Sequence, residues 1–191
     1  MSIPATNNME ATRRRLTGKQ AETVDRLTKA AVTVLGREGF AGTTIRLIAA
    51  EAGIGTATAY TYFSSKEHVI AEVYWRRLAG MPPVELPDGD AATRAIAVLR
   101  QAAVLVADEP ALAAAIGQAL LGGDPDVAHL RLRIGSELRS RLLEAVGPEN
   151  AENLSYLELL YYGAMLQAGM GYLPYAEVAE QLEGGTRRLL A

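Results

Sequence analysis

Few residues in this 191-residue chain are placed where they could perform a reaction. There are two histidines and no cysteine. His129 stands alone on an amphipathic stretch with no H-E-x-x-H pair and no second histidine at ligand spacing, so no metal site is expected. His68 falls near a helix start and reads as a surface or capping residue. The phosphate-cradling G-x-x-x-x-G-K-[ST] loop and the G-x-S-x-G elbow are both absent. Asp108-Glu109 before Pro110 reads as negative charge at a helix N-terminus and not as an acid/base couple. The sequence predicts no catalytic residue, no metal ligand and no cofactor. It does not predict an enzyme. Hydrogen-bonding groups collect instead between Thr43 and Lys66, and positive charge collects at Arg13-Arg14-Arg15.

Charge follows the same division. Residues 1–76 carry ten Lys and Arg against seven Asp and Glu, net +3, whereas the remainder carries nine against fifteen, net −6. A basic front on an acidic body suits an anionic partner for the front, and a solvated surface suits it nearly as well. Hydrophobic residues make up 49% and charged residues 21%, the balance of an ordinary globular chain. Without cysteine there is no disulfide framework. No apolar run approaches the ~18 residues a membrane span needs. Met1 to Met9 also lacks the apolar core of a signal peptide, so no membrane association and a cytoplasmic location are expected.

The elements that must carry these groups are helical. Thr17-Gly18-Lys19-Gln20 has the form of a capping box, and Val24, Leu27, Ala31, Val34 and Leu35 follow at helical spacing until Gly39. Thr43 or Thr44 can cap a second, short helix with Ile45, Ile48, Ala49 and Ala52 on its inner face, ending at Gly53. Thr56 can cap a third through Tyr62-Phe63, and Ser64 or Ser65 a fourth from Lys66 to about Ala79. Pro82, Pro83 and Pro87 interrupt the pattern and mark a boundary. Beyond it, helices are expected over 91–107, 111–121, 125–146 (Asp124 as cap), 149–171 and 175–190. No segment alternates like a strand. The fold class is all-α with about nine helices.

Two short helices joined by a glycine turn make a helix-turn-helix, whose second helix enters the major groove of DNA. The run Thr43-Thr44-Ile45-Arg46-x-Ile48-Ala49-x-x-Ala52-Gly53-Ile54, followed by Ala59-Tyr60-Thr61-Tyr62-Phe63-x-Ser65-Lys66-Glu67, resembles the TetR family. The likeness is specific from Leu16 to Tyr74, and departs at Ala59, commonly Leu or Ile, and at Ser64, often Pro. It implies an N-terminal three-helix helix-turn-helix domain with its arm in residues 1–65. A C-terminal helical bundle for ligand binding and dimerisation would fill 66–191, with helix 66–79 as the link. Thr56, Ala57, Thr58 and Thr61 are then placed to read base edges through hydroxyls and methyls. Thr44, Tyr60, Tyr62 and Lys66 resemble the family's phosphate contacts, although Tyr62 is equally suited to the core. Arg13-Arg14-Arg15 is either an arm reaching a minor groove or a solvated charge run.

The resemblance implies a ligand-responsive transcriptional regulator, a repressor released from double-stranded operator DNA by a small-molecule effector. The two long C-terminal helices would form a homodimer interface. Trp75, Leu105, Leu120, Leu138, Tyr161 and Met165 are candidate pocket residues, each also suited to plain core. The few polar groups nearby in the pattern, Gln101, Gln118, Glu158, Gln167 and a phenol, point to a hydrophobic effector with one or two polar handles. A helical ligand-binding or protein-interaction module without specific DNA binding is the alternative, motivated by Ala59 and the modest positive charge.

Overall fold

The computed structural model describes Gly18–Ala191. Arg13-Arg14-Arg15 and the Thr17 cap lie outside the described residues. Among those described, the chain is all-helical, with α1 (Gly18–Gly42), α2 (Ile45–Glu51), α3 (Thr56–Tyr62), α4 (Lys66–Ala79), α5 (Ala91–Val104), α6 (Pro110–Leu121), α7 (Pro125–Val146), a 3-10 turn (Pro148–Asn153), α8 (Leu154–Gly169) and α9 (Tyr175–Leu189). Two compact units result. The first runs to Met81 and takes in Gln118–Arg133, and the second comprises Pro82–Gly117 and Ile134–Ala191. The helix read as a link, α4, thus falls in the first unit together with the α6–α7 turn. None of the helices in the described residues is long and apolar enough to cross a membrane.

In the first unit, α1 buries the expected stripe of Val24, Leu27, Ala31, Val34 and Leu35 against α2 and α4. Gly39 stops its helical geometry with φ 67° and ψ 176°. Thr43 is fully buried and donates its hydroxyl to the Gly39 carbonyl at 2.6 Å, so it closes the turn. Thr44 is the cap of α2, accepting the Leu47 N–H at 3.2 Å. The far end of α2 is a Schellman motif: the Gly53 N–H donates to Ala50 O at 3.1 Å and the Ile54 N–H to Ala49 O at 2.9 Å. That geometry needs a left-handed residue, which Gly53 supplies with φ 63°. Gly55, and not Thr56, occupies the cap position of α3, without a side-chain bond. Ser65 caps α4, accepting the His68 N–H at 3.1 Å.

The second unit packs α5 against α9 and α8 against α9. Leu99, Leu138, Leu142, Leu157 and Leu182 form its centre. Arg100 pairs with Glu183 across α5 and α9, and Arg139 pairs with Glu158 across α7 and α8 at 2.8 Å. Two expected boundaries are corrected here. The helix expected from 149 begins only at Leu154, because Gly147 (φ 79°) and Pro148 start a 3-10 turn first. The helix expected to reach 107 ends at Val104.

Candidate nucleic-acid interface

The second helix of the helix-turn-helix, α3, sorts its seven residues by period. Ala59 and Tyr62 point into the unit, buried to 1% and 8% exposure, and α3 packs against α2. Ala57, Thr58, Tyr60 and Thr61 are exposed and Thr56 is half-buried, so the candidate base-reading groups share the outer surface. Thr61 donates its hydroxyl to the Ala57 carbonyl at 3.1 Å, which leaves its oxygen lone pairs and its methyl to meet a partner. No Arg, Asn or Gln lies on α3. Bidentate base recognition is therefore beyond it, and what its side chains can offer is single hydroxyl bonds and methyl packing.

The candidate phosphate contacts divide. Thr44 and Tyr60 are exposed, the latter to 51%. Tyr62 lies in the core, the position that its apolar ring equally suited. Lys66 is half-buried. Its ammonium donates to the Phe40 carbonyl at 2.7 Å and sits 4.3 Å from the Phe40 ring centroid. An ammonium has three donors, so this bond leaves two and fixes where they point.

Three features of this unit escaped the sequence reading. Arg46, exposed in the first turn of α2, adds a cation to the helix that Thr44 caps. Arg26, on α1, donates to the Ala52 carbonyl at 2.5 Å and to the Gly53 carbonyl at 3.4 Å, placing positive charge on the C-terminal end of α2. His68 is not on the surface: it is 1% exposed, edge-on to Phe63 at 5.1 Å between ring centroids, and its Nδ1 accepts the Ser64 N–H at 3.3 Å. Arg46 was legible as a cation within the first turn after the cap. The other two depend on which elements pack together and carry no local signal.

Asp124 gathers the polar groups at the α3–α4 turn. It caps α7, accepting the Asp126 N–H at 2.8 Å, and its other oxygen accepts the hydroxyls of Ser65 at 2.5 Å and Ser64 at 2.9 Å. Burial pushes its pKa upward. The hydroxyl bonds from Ser65 and Ser64 and the N–H groups of Asp126 and Val127 outweigh this and hold it below the ordinary carboxylate value.

The expected effector residues fall in both units. Trp75 and Leu120 belong to the first, and Leu105, Leu138, Tyr161 and Met165 to the second. Trp75 is buried under the Arg133 guanidinium, 4.5 Å from its ring centroid. Leu138 and Tyr161 are core residues of the second unit, and Met165 packs against the same core. An open cavity of about 580 Å³ in the first unit is lined by Phe40, Glu67, Gln118, Leu121, Gly122, Gly123 and Asp124. One of about 170 Å³ in the second is lined by Pro83, Val84, Leu86, Val98, Glu137, Ser140, Arg141 and Glu144. Neither is lined by any of the six, although Gln118, a polar handle in the sequence reading, lines the first.

The profile of "Bacterial regulatory proteins, tetR family" matches residues 27–73, which span most of α1 through α4. An HTH-type transcriptional regulator of Mycobacterium tuberculosis H37Rv is 41% identical over 167 residues, covering 86% of this chain and 78% of that protein. A TetR transcriptional regulator from Rhodococcus sp. RHA1 shares the fold with a TM-score of 0.73 at 21% identity, over 91% of this chain and 98% of that one. Thermus thermophilus FadR, a TetR-family repressor in complex with lauroyl-CoA, gives 0.62 at 23% identity over 87% and 93%. The mycobacterial relative carries the assignment across both units, and the solved structures extend it to the fold. The chain belongs to the TetR family and is a helix-turn-helix transcriptional regulator.

Proposed function

We propose that this regulator is a cytoplasmic homodimeric repressor that leaves double-stranded operator DNA when a small, largely apolar molecule binds its C-terminal bundle. The observation that carries the DNA half of this reading is the outer surface of α3, where Thr56, Ala57, Thr58, Tyr60 and Thr61 lie together. Thr44 and Arg46 at the start of α2 and the remaining donors of Lys66 supply the phosphate contacts that fix its register. With only hydroxyl and methyl readout, selectivity rests largely on DNA shape and two-fold symmetry. Residues 1–65 then serve DNA binding and 66–191 serve effector binding and dimerisation.

Dimerisation is supported by an apolar stripe along α8 and its C-cap residue Met170. Tyr156, Leu159, Tyr162, Leu166 and Met170 recur at helical spacing and are all exposed in the single chain. The apolar effector is supported by the composition around Leu138, Tyr161 and Met165, and by the lauroyl-CoA held by the Thermus thermophilus repressor of the same fold. The test is a fluorescence-anisotropy titration on DNA flanking the protein's own gene, with a scrambled duplex, at ~50 and ~200 mM salt. Tight, sequence-selective and salt-sensitive binding is expected. Equal, weak binding to both duplexes, repeated on duplexes selected from genomic DNA, overturns the reading.

A further inference from the structure

The end of the reading helix and the start of α7 are joined by one carboxylate. Ser64 follows Phe63, the residue that ends α3, and Ser65 opens α4. Both hydroxyls donate to the same oxygen of Asp124, at 2.9 and 2.5 Å. The other Asp124 oxygen closes the first turn of α7 by accepting the Asp126 N–H at 2.8 Å. Ser65 serves twice, since its oxygen also accepts the His68 N–H that caps α4. Behind them, His68 Nδ1 lies 3.1 Å from Ser64 Oγ and 3.7 Å from Asp126 Oδ2. All of these residues belong to the first unit.

We propose that Asp124, Ser64 and Ser65 form a positioning latch that sets the orientation of α3 for DNA, a role that rests on the operator-binding reading above. The need for such a latch follows from α3 itself. A seven-residue helix is too short to be stable alone, and α3 has no side-chain bond at its N-terminal cap. Its position is therefore set by the burial of Ala59 and Tyr62 and by whatever holds its two ends. At the C-terminal end, the holding group is an ionised acceptor taking two hydroxyl bonds, the stronger class of hydrogen bond. A displacement of the first turn of α7 is passed to Ser64, and so to α3, through those bonds. Ser64 occupies a position where proline would offer no hydroxyl, so this side of the latch depends on the residue present in this chain.

The test uses the full chain and the variants Ser64→Ala, Ser64→Thr, Asp124→Asn and Ser64→Ala with Asp124→Asn. Asparagine keeps a carbonyl to cap α7, and Ser64→Ala touches no helix cap. Two readouts are taken: hydrogen exchange of the Ala59 to Phe63 amides without DNA, and affinity for a duplex that the wild-type protein enriches from a random pool. Ser64→Ala and Asp124→Asn are each expected to speed exchange and to weaken binding by ~3- to 10-fold, with an unchanged salt slope because no phosphate contact is lost. The double variant is expected to be no worse than Asp124→Asn alone, as for residues acting through one shared bond, and Ser64→Thr is expected to restore wild-type values. Unchanged exchange in both single variants, or losses that simply add, overturns the latch. If the wild-type protein enriches no duplex, the operator reading fails, and the exchange data alone decide whether α3 is held by Asp124.

Discussion

Gly53 and Arg26 meet at the corner of the helix-turn-helix, where Arg26 donates to the carbonyls of Ala52 and Gly53. The Schellman closure of α2 requires a left-handed residue at 53, and a Cβ there would also lie 3.2 Å from the Arg26 guanidinium. Gly53→Ala is expected to destabilise the protein by about 1–2 kcal/mol, the penalty for an L-residue in that region, read as a lower urea midpoint with unchanged slope. Arg26→Ala removes a cation from the α2 carbonyls and is expected to cost about 1 kcal/mol. Asp124 adds a pH dependence of definite sign. Its folded pKa is lowered, so its stabilising contribution is complete above about pH 4, where the unfolded carboxyl is ionised, and is lost as pH falls through the lower folded value. The difference in urea midpoint between wild type and Asp124→Ala is expected to be constant from neutral pH to about pH 5 and to shrink below about pH 4. A difference that grows on acidification contradicts the sign.

The helices most legible in the sequence are those whose ends carry their own chemistry. The break at Gly39, the span of α4 and the whole of α7 from Asp124-Pro125 are legible from caps, glycine and proline, because those signals act within one turn, although they leave the cap of α2 between Thr43 and Thr44 and that of α4 between Ser64 and Ser65. Part of the outer surface of α3 was legible for the same reason, since period places Ala59 inward and Thr58 and Thr61 outward, whereas Tyr62, equally suited to a phosphate contact and to the core, is placed only by its burial. The 3-10 turn before α8 was not, because Pro148 to Asn153 are compatible with either helix type. Nor was the burial of His68, or the bond from Ser64 to Asp124 across sixty positions, since both depend on the α6–α7 turn packing over α4. This distinction predicts how cap mutations separate. Ser65→Ala removes both the α4 cap and one latch bond and is expected to cost at least about 1 kcal/mol in unfolding. Thr44→Ala is expected to cost about 1 kcal/mol as well, and to weaken DNA binding. Thr56→Ala removes no cap bond, so its stability is expected to stay within about 0.5 kcal/mol of wild type while its sequence preference on DNA changes. Thermal unfolding and anisotropy on the same samples distinguish the three.

For the whole molecule, the exposed side of α8 is where the proposed dimer can be tested. The α8 residues Leu154, Leu157, Tyr161 and Ala168 are buried within the chain, so the stripe formed by Tyr156, Leu159, Tyr162, Leu166 and Met170 is surplus to its own core. A contiguous apolar stripe left in water marks an interaction surface, and a two-fold axis lets one such stripe cover its own copy. Leu159 is 67% exposed in the single chain, so Leu159→Glu is expected to leave helix content and unfolding midpoint close to wild type. In a dimer formed through this stripe the same substitution puts two carboxylates into the apolar interface, where burying unpaired charge is strongly unfavourable. Sedimentation at micromolar concentration is expected to show a dimer for wild type and a monomer for Leu159→Glu. Because a dimer binds two half-sites and converts the second contact into an intramolecular one, the monomeric variant is expected to lose about 10²-fold or more in affinity for a two-fold symmetric duplex. On a duplex carrying one half-site, the two proteins are expected to bind alike. A variant that remains dimeric assigns the interface to another surface, and one that loses affinity equally on both duplexes shows that Leu159 acts on DNA binding and not through dimerisation.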